Sequence, residues 1–121
     1  MFQSTRVSQV AFLAALLLTG IVAIAGAGPA RAGETPVFTL TIKDHKFDPA
    51  TLQVPAGKRF ELVVKNADAT PEEFESKSLR REKIIKGGDQ ATIKLGPLKP
   101  GTYDFFGEFH EDTAKGNIVA K

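Results

Sequence analysis

Short strand-like segments separated by turn residues are the feature that most constrains the fold of this chain. After residue 33 these segments are rich in β-branched residues and Phe, and Pro or Gly interrupts them about every 8–12 residues. Such spacing is typical of all-β proteins, and it predicts a β-sandwich of about seven or eight strands. The predicted strands are 37–42, 51–54, 60–64, 74–76, 82–85, 90–95, 102–106 and 117–121.

The segment 71–81 is the place where a helix competes with a strand. Pro71 suits the first position of a helix, and good helix formers follow it. Its apolar residues, Phe74 and Leu79, are spaced by five and leave almost no apolar stripe. We therefore favour a turn or an extended segment. If Phe74 points to the core, strand alternation places Glu73 and Glu75 together on the opposite face.

Residues 1–32 have the pattern of a secretory signal peptide. Arg6 precedes an apolar run at 10–27, and a small-residue cleavage site, Ala-Arg-Ala, follows at 30–32. An uncleaved membrane anchor is the alternative, because 18 mostly apolar residues could just span a bilayer. We expect cleavage after Ala32, a periplasmic location and no membrane insertion after cleavage.

The processed chain, residues 33–121, is predicted to be one electrically neutral domain. Two of the 16 Lys and Arg residues, Arg6 and Arg31, lie in the predicted signal peptide, and the remainder balance the 14 Asp and Glu residues. A neutral domain argues against nucleic acid as a partner, since duplex binding needs a basic surface. The absence of cysteine excludes disulfides, thiolate metal ligands and cysteine nucleophiles.

Strand direction predicts which loops lie together. If the strand at 37–42 runs toward one end of the sandwich, the loop at 43–50 lies at that end. The strand at 60–64 then runs to the same end and places the segment 66–73 there. The residues expected to share this rim are Asp44, His45, Glu72 and Glu73.

Two segments concentrate side chains that could bind a metal. Residues 107–112, GEFHED, place His110 among carboxylates, and residues 71–75, PEEFE, supply three more. Crowded carboxylates repel one another unless a cation or a basic residue lies between them. Imidazole with carboxylate suits Fe, Mn, Cu(II) or Zn and lacks the thiolate that selects Cu(I). Solvated acidic loops are the alternative for either segment alone.

Other motifs predict no catalysis. Ser76 and Ser78 lie in a charged segment without a G-x-S-x-G elbow, which argues against a serine hydrolase. The basic run at 80–83 is interrupted by Glu82, and we interpret it as a solvated strand edge.

An ordered series of motifs resembles the cupredoxin superfamily, and more narrowly the EfeO-type cupredoxin-like domains. IKDHKFDP at 42–49 and LQVPAGK at 52–58 look like the opening strand with its F-x-P and V-P-x-G-x turns. LVVKN at 62–66, followed by PEEF, is similar to the strand that leads to P-H-x-[FV], and LKPGTYDFF at 98–106 to the approach to the copper loop. The resemblance covers essentially all of residues 33–121 and implies a cupredoxin-like Greek-key β-sandwich.

The departures from the blue-copper pattern are as informative as the matches. In blue-copper members the loop after the aromatic strand reads C-x-x-H-x-x-x-x-M. Here Gly107 takes the cysteine position, His110 is retained, and Lys115 takes the methionine position. The upstream histidine position holds Glu72. Without a thiolate there is no blue charge-transfer centre, so type 1 copper electron transfer is excluded.

The resemblance also implies that residues 107–115 lie at the rim already described. We therefore expect one combined site with iron or copper(II) as the cofactor, in which Glu72 is the first carboxylate and Glu108 the second. The candidate ligands are Glu72, Glu108, His110, Glu73, Glu75, Glu111 and Asp112, with His45 at the margin.

The family context implies a role in bacterial iron acquisition. EfeO-type domains and cysteine-free relatives such as FtrB are periplasmic components of iron-uptake systems. We accordingly expect an accessory to ferrous-iron oxidation or delivery, not a stand-alone enzyme. The expected partner is an inner-membrane iron permease or another periplasmic iron-uptake protein. The alternative is a metal-free module that docks a permease or a soluble partner through its acidic rim.

Overall fold

The computed structural model describes residues 33–121, which form two β-sheets that enclose one hydrophobic core. The predicted signal peptide lies outside the described residues. No helix in the described part of the chain is long and apolar enough to cross a membrane. The strands are β1 Val37–Lys43, β2 Lys46–Asp48, β3 Thr51–Val54, β4 Phe60–Asn66, β5 Glu72–Ser76, β6 Arg81–Ile85, β7 Gln90–Leu95, β8 Gly101–Phe106 and β9 Lys115–Ala120.

The first sheet has the order β2-β1-β4-β7 and sets the position of the rim. β1 and β4 run parallel, with Ile42 opposite Asn66, so both strands end at the same edge of the sandwich. Alternate residues of β4 are buried, and its last inward residue is the polar Asn66. The loops at 44–45 and 67–71 therefore lie side by side, as strand direction predicts.

The second sheet has the order β3-β9-β8-β5-β6 and contributes the acidic strand. Within β5, Glu72, Phe74 and Ser76 share one face by alternation, and Phe74 belongs to the hydrophobic core. Glu73 and Glu75 therefore lie on the opposite face of this sheet. β6 is the edge strand, and four of its five residues are exposed.

A cluster of three Phe rings supports the rim from inside the core. The Phe47 ring packs edge-on against Phe105 with 4.9 Å between centroids, and against Phe74 at 6.3 Å. Phe74 and Phe105 pack at 5.2 Å. Because Phe47 follows His45 by two residues and Phe74 follows Glu72 by two, these buried rings fix the strand ends that carry both side chains.

The predicted all-β sandwich is confirmed, with nine strands in two sheets. The segment 71–81 is a strand followed by a turn at 77–80, not a helix. The additional strand is β2, since the β1–β2 turn contains only two residues and allows Lys46–Asp48 to pair with β1. Within residues 33–121 the one helical element is a 3-10 turn at Glu108–His110.

Candidate metal centre

His45 lies in a two-residue turn between β1 and β2. Asp44 and His45 have positive φ values of 51° and 58°, as in the type I′ turns that match the twist of a hairpin. Both residues bear side chains, so this left-handed backbone is strained by about 1 kcal/mol or more per residue. The turn is held by Asp68, whose Oδ1 accepts from the Asp44 N–H at 2.7 Å and whose Oδ2 accepts from the His45 N–H at 3.1 Å.

Asp68 is itself positioned by the polar end of β4. Its N–H donates to Oδ1 of the buried Asn66 at 2.9 Å, and the Asn66 amide donates to the carbonyls of Thr70 and Ile85. Burial raises the pKa of Asp68, but the backbone hydrogen bonds from His45 and Asp44 outweigh it and hold this pKa below its ordinary value. Asp68 is therefore an ionised anchor for the turn that carries His45.

Two imidazoles converge on one buried carboxylate at the rim, and we call these three residues the histidine site. Nδ1 of His45 lies 2.5 Å from Oε1 of Glu72, and Nδ1 of His110 lies 3.2 Å from Oε2 of the same residue. The Glu72 side chain is fully buried, whereas the two His side chains are 41% and 33% exposed. The rings stack with 3.5 Å between centroids and 16° between planes.

His110 is placed by the tight loop between β8 and β9. The 3-10 turn at Glu108–His110 begins at Gly107, whose carbonyl accepts from the His110 N–H at 3.1 Å. The His110 carbonyl accepts in turn from the N–H of the buried Ala114 at 2.7 Å. This loop projects the imidazole over Glu72 at the end of the neighbouring strand.

No Lys or Arg in the described part of the chain neutralises Glu72. In residues 33–121, all the contacts within 4.0 Å between a basic and an acidic side chain involve an imidazole, and two of the three involve Glu72. A fully buried carboxylate is costly unless it is paired or bound to a cation. Among the described residues, the basic side chains that contact Glu72 are the two His rings, which makes this a position at which a cation is well accommodated.

Four other carboxylates meet on the opposite face of β5, and we call them the carboxylate cluster: Glu73, Glu75, Glu82 and Glu108. Glu75 is directly opposite Glu82 across the β5–β6 pair. Burial raises the pKa of Glu73 to about 7, with further contributions from a shared hydrogen bond with Glu75 and from the charges of Glu108 and Glu82.

The structure thus divides the expected single site into two groups. His45, expected at the margin, contacts Glu72 directly, and Glu108 joins the carboxylate cluster instead of the histidine site. Glu111 and Asp112 are exposed and belong to neither group, although they line an open depression together with both His residues.

Two residues of the site are not indicated by the sequence pattern. Asp68 lies in the 66–73 segment predicted at the rim, but a carboxylate that binds backbone N–H groups has no sequence motif. Glu82 lies in the run that the sequence predicts to be a solvated strand edge, and β6 is indeed an edge, yet its pairing places Glu82 beside Glu75. The available signal was the β5–β6 hairpin, because antiparallel pairing brings these two strands together.

The residues present do not fit a type 1 copper centre. A Cβ atom at Gly107 would lie 2.8 Å from the backbone oxygen of Glu73 and 3.2 Å from the Ala114 side chain, so the cysteine position has no room for a side chain. Lys115 is exposed in β9 at the methionine position. The histidine site does fit a metal held by imidazole and carboxylate, since ligand atoms of His45, Glu72 and His110 lie within 4.8 Å of one another.

A two-sheet sandwich with a histidine–carboxylate group at one rim and no thiolate defines a cupredoxin-like protein without a blue copper centre. The chain belongs to the cupredoxin-like domain family, whose model matches residues 13–120.

Similar proteins support the fold. Auracyanin A, a blue copper protein from Chloroflexus aurantiacus, matches with a TM-score of 0.63 at 14% identity over 73% of this chain and 100% of its own. The metal binding domain of the Cu(I) exporting P-type ATPase CopA of Streptococcus pneumoniae matches with a TM-score of 0.59 at 17% identity, over 70% of this chain and 84% of that domain.

A sequence relative is uncharacterized protein RP394 of Rickettsia prowazekii, which is 52% identical over 80 residues. The match covers 66% of this chain and 64% of that protein, so the chain spans less than two thirds of the relative.

Proposed function

We propose that this protein is a periplasmic metal-binding accessory of bacterial iron acquisition that binds Fe or Cu(II) at the histidine site. The observation that carries the proposal is the fully buried Glu72 carboxylate, which both imidazoles contact and which no Lys or Arg of residues 33–121 neutralises. His45, His110 and Glu72 would hold the ion. Two imidazoles and one carboxylate form a ligand set found in non-haem Fe(II) sites and acceptable to Cu(II).

The arrangement of the two rings gives a second reason for a metal. The rings of His45 and His110 stack with 3.5 Å between their centroids. Their Nδ1 atoms lie 2.5 Å and 3.2 Å from the two oxygens of Glu72. Two imidazole nitrogens and one carboxylate are therefore gathered at one point, where a single ion would be held by all three residues.

The role in iron acquisition is supported by the order of the EfeO-like motifs and by the loss of the thiolate and thioether positions. Oxygen and nitrogen ligands move the metal preference away from Cu(I) and toward iron or Cu(II). His45 and His110 line an open depression and are partly exposed, so solvent contacts both imidazole side chains of the site. We propose delivery to an inner-membrane iron permease or another periplasmic iron-uptake protein, after export directed by residues 1–32.

A metal-free docking module is the second candidate, and one observation favours it. Phe109 is 45% exposed at the rim, between the carboxylates of Glu108 and Glu111. An exposed aromatic residue with an acidic surround is the composition of a binding surface for a basic, partly apolar partner. Under this alternative the histidine site would only stabilise the rim and would bind no metal.

The test is a calorimetric titration of the chelator-treated protein with Cu(II), and with Fe(II) under anaerobic conditions. We expect one high-affinity ion per chain. The Glu72→Gln, His110→Ala double variant should lose this binding, whereas an Asp112→Asn variant, which removes a nearby exposed charge, should retain it. Unchanged affinity in the double variant, or failure of wild-type protein to bind either ion, would overturn the proposal and favour the docking module.

A further inference from the structure

We propose that the carboxylate cluster is a second cation site, separate from the histidine site and selective for a hard, oxygen-preferring divalent cation. Oxygens of Glu73, Glu75, Glu82 and Glu108 all lie within 4.8 Å of one another. They come from three different elements: β5, the edge strand β6 and the 3-10 turn that follows β8. Side chains converging from separate elements form a preorganised group, not a run of acidic residues along one surface.

The buried member of the cluster has an oxygen that the described residues leave unpaired. Glu73 is 2% exposed, and its Oε1 has no hydrogen-bond partner among residues 33–121. Buried polar atoms are nearly always paired, and an unpaired carboxylate oxygen is among the costliest exceptions. Because Glu73 contributes one of the four clustered carboxylates, a cation bound there would satisfy it directly.

The basic residues nearest in sequence do not neutralise the cluster. The Arg81 guanidinium donates to the backbone carbonyls of Leu79, Arg80 and Lys94. The ammonium group of Lys77 lies 5.7 Å from the centroid of the Phe106 ring. Throughout residues 33–121, no Lys, Arg or His lies within 4.0 Å of a carboxylate oxygen of this cluster.

Strand pairing brings the carboxylates of the cluster close to one another. Glu75 and Glu82 are directly opposite each other on β5 and β6, where like charges destabilise a sheet. Glu73 precedes Glu75 by two residues and therefore lies on the same face. A divalent cation at the centre converts this repulsion into attraction and joins the edge strand to the loop that carries His110.

The donor atoms identify the class of ion. All the donors are carboxylate oxygens, which suit Ca²⁺, Mg²⁺ and Mn²⁺ and give no advantage to ions that prefer imidazole or sulfur. These oxygens lie within 4.8 Å of one another, which is compatible with coordination of one such ion. The side chains of Glu82 and Glu108 are exposed and can adjust their positions to the size of the ion.

The experiment measures the cluster in the absence of the histidine site. In a His45→Ala, His110→Ala background, chelator-treated protein is titrated with Mn²⁺, and the EPR signal of free Mn²⁺ is recorded with Ca²⁺ as a competitor. We expect one Mn²⁺ per chain that Ca²⁺ displaces. Glu82→Gln, at an exposed edge position where the fold does not depend on it, should weaken binding at least tenfold, and Glu73→Gln should weaken it by at least as much.

Glu111→Gln is the matched control, because it removes an exposed carboxylate from the adjacent loop outside the cluster. It should change the Mn²⁺ affinity less than twofold. The proposal fails if the background variant binds no Mn²⁺ at about 1 mM, the weak end of extracellular Ca²⁺ sites. It also fails if Glu111→Gln weakens binding as much as Glu82→Gln. Neither result bears on Cu(II) or Fe binding by wild-type protein, so this failure is distinguishable from failure of the proposed function.

Discussion

Glu72 and Glu73 are consecutive, are both almost fully buried, and differ in every other respect. Glu72 faces the interior of the rim, where two imidazoles contact its oxygens. Glu73 faces the other side of β5, where its neighbours are three carboxylates and its Oε1 finds no hydrogen-bond partner among the described residues. The comparison shows that burial alone does not determine the charge environment of a carboxylate. The side chains on the same face of the strand determine it.

The same difference separates the metal chemistry of the two groups. Nitrogen and oxygen donors at the histidine site suit Fe or Cu(II), whereas four carboxylates suit hard cations. Because successive side chains of β5 point to opposite faces, this one strand contributes Glu72 to the histidine site and Glu73 and Glu75 to the carboxylate cluster. Substitutions on the two faces of β5 can therefore test whether the histidine site and the carboxylate cluster bind metal independently.

The largest expected effect is a separation of metal affinities by adjacent substitutions. Glu72→Gln should weaken Cu(II) binding at least 100-fold, because it removes the charged ligand of the histidine site; this corresponds to about 3 kcal/mol. Glu73→Gln should change Cu(II) affinity less than threefold. Calorimetry on both variants measures this, and equal losses would mean that the two groups act as one site.

The next effect concerns pH and the unpaired carboxylate. Since the pKa of Glu73 is raised to about 7 in the folded protein, the folded state holds a proton that the unfolded state releases above about pH 4.5. The stability contributed by this group is present below about pH 4.5 and lost as pH rises to about 7. In metal-free protein, Glu73→Gln should therefore raise the free energy of unfolding at pH 8 by roughly 2–3 kcal/mol and leave it nearly unchanged at pH 4.5.

Urea unfolding of wild type and Glu73→Gln across this pH range measures the difference. Subtracting the two curves removes the titration of all other groups. A difference that does not vary with pH would contradict the account of Glu73 as a carboxyl group whose pKa is raised by burial and by its acidic neighbours.

A smaller effect is expected at the anchor of the His45 turn. Asp68→Ala removes both acceptors from the strained backbone of Asp44 and His45, and should lower the free energy of unfolding by about 2 kcal/mol. It should also weaken Cu(II) binding about tenfold through misplacement of the imidazole, without affecting Mn²⁺ binding by the carboxylate cluster. Asp44→Asn, a charge-removing change in the same turn, is the control and should have little effect on either quantity.

The smallest effects are expected at the exposed carboxylates of the loop. Glu111→Gln and Asp112→Asn should each change stability by less than about 0.5 kcal/mol, because neither side chain joins either group. Chemical unfolding at neutral pH measures this. A larger loss of stability would show that Glu111 or Asp112 makes a stabilising contact outside the histidine site and the carboxylate cluster.

The architecture was predictable because local signals determine it. Alternation in β7 and the turn residues around β3 give both strands their observed bounds, Gln90–Leu95 and Thr51–Val54. Strand direction brings His45 and Glu72 to one rim, since β1 and β4 are parallel. The strand β2 was missed because its three residues carry too little alternation to be distinguished from a loop.

The division of the acidic residues could not be predicted in the same way. The faces of Glu72 and Glu73 depend on β5 being a strand, which the sequence leaves in competition with a helix. The role of Glu82 depends on its register opposite Glu75, and a shift by one residue would have turned it to the other face. Asp68 acts on backbone groups 24 residues away in sequence, a contact that no local pattern indicates.

The central claim is that His45 and His110 bind one metal ion together, and pulsed EPR of the Cu(II) complex tests it most directly. The account predicts electron spin echo modulation from two equivalent imidazoles in wild-type protein. The modulation should fall to that of one imidazole in either His45→Ala or His110→Ala and disappear in the double variant. A Cu(II) spectrum without imidazole modulation, or one that either substitution leaves unchanged, would contradict the claim.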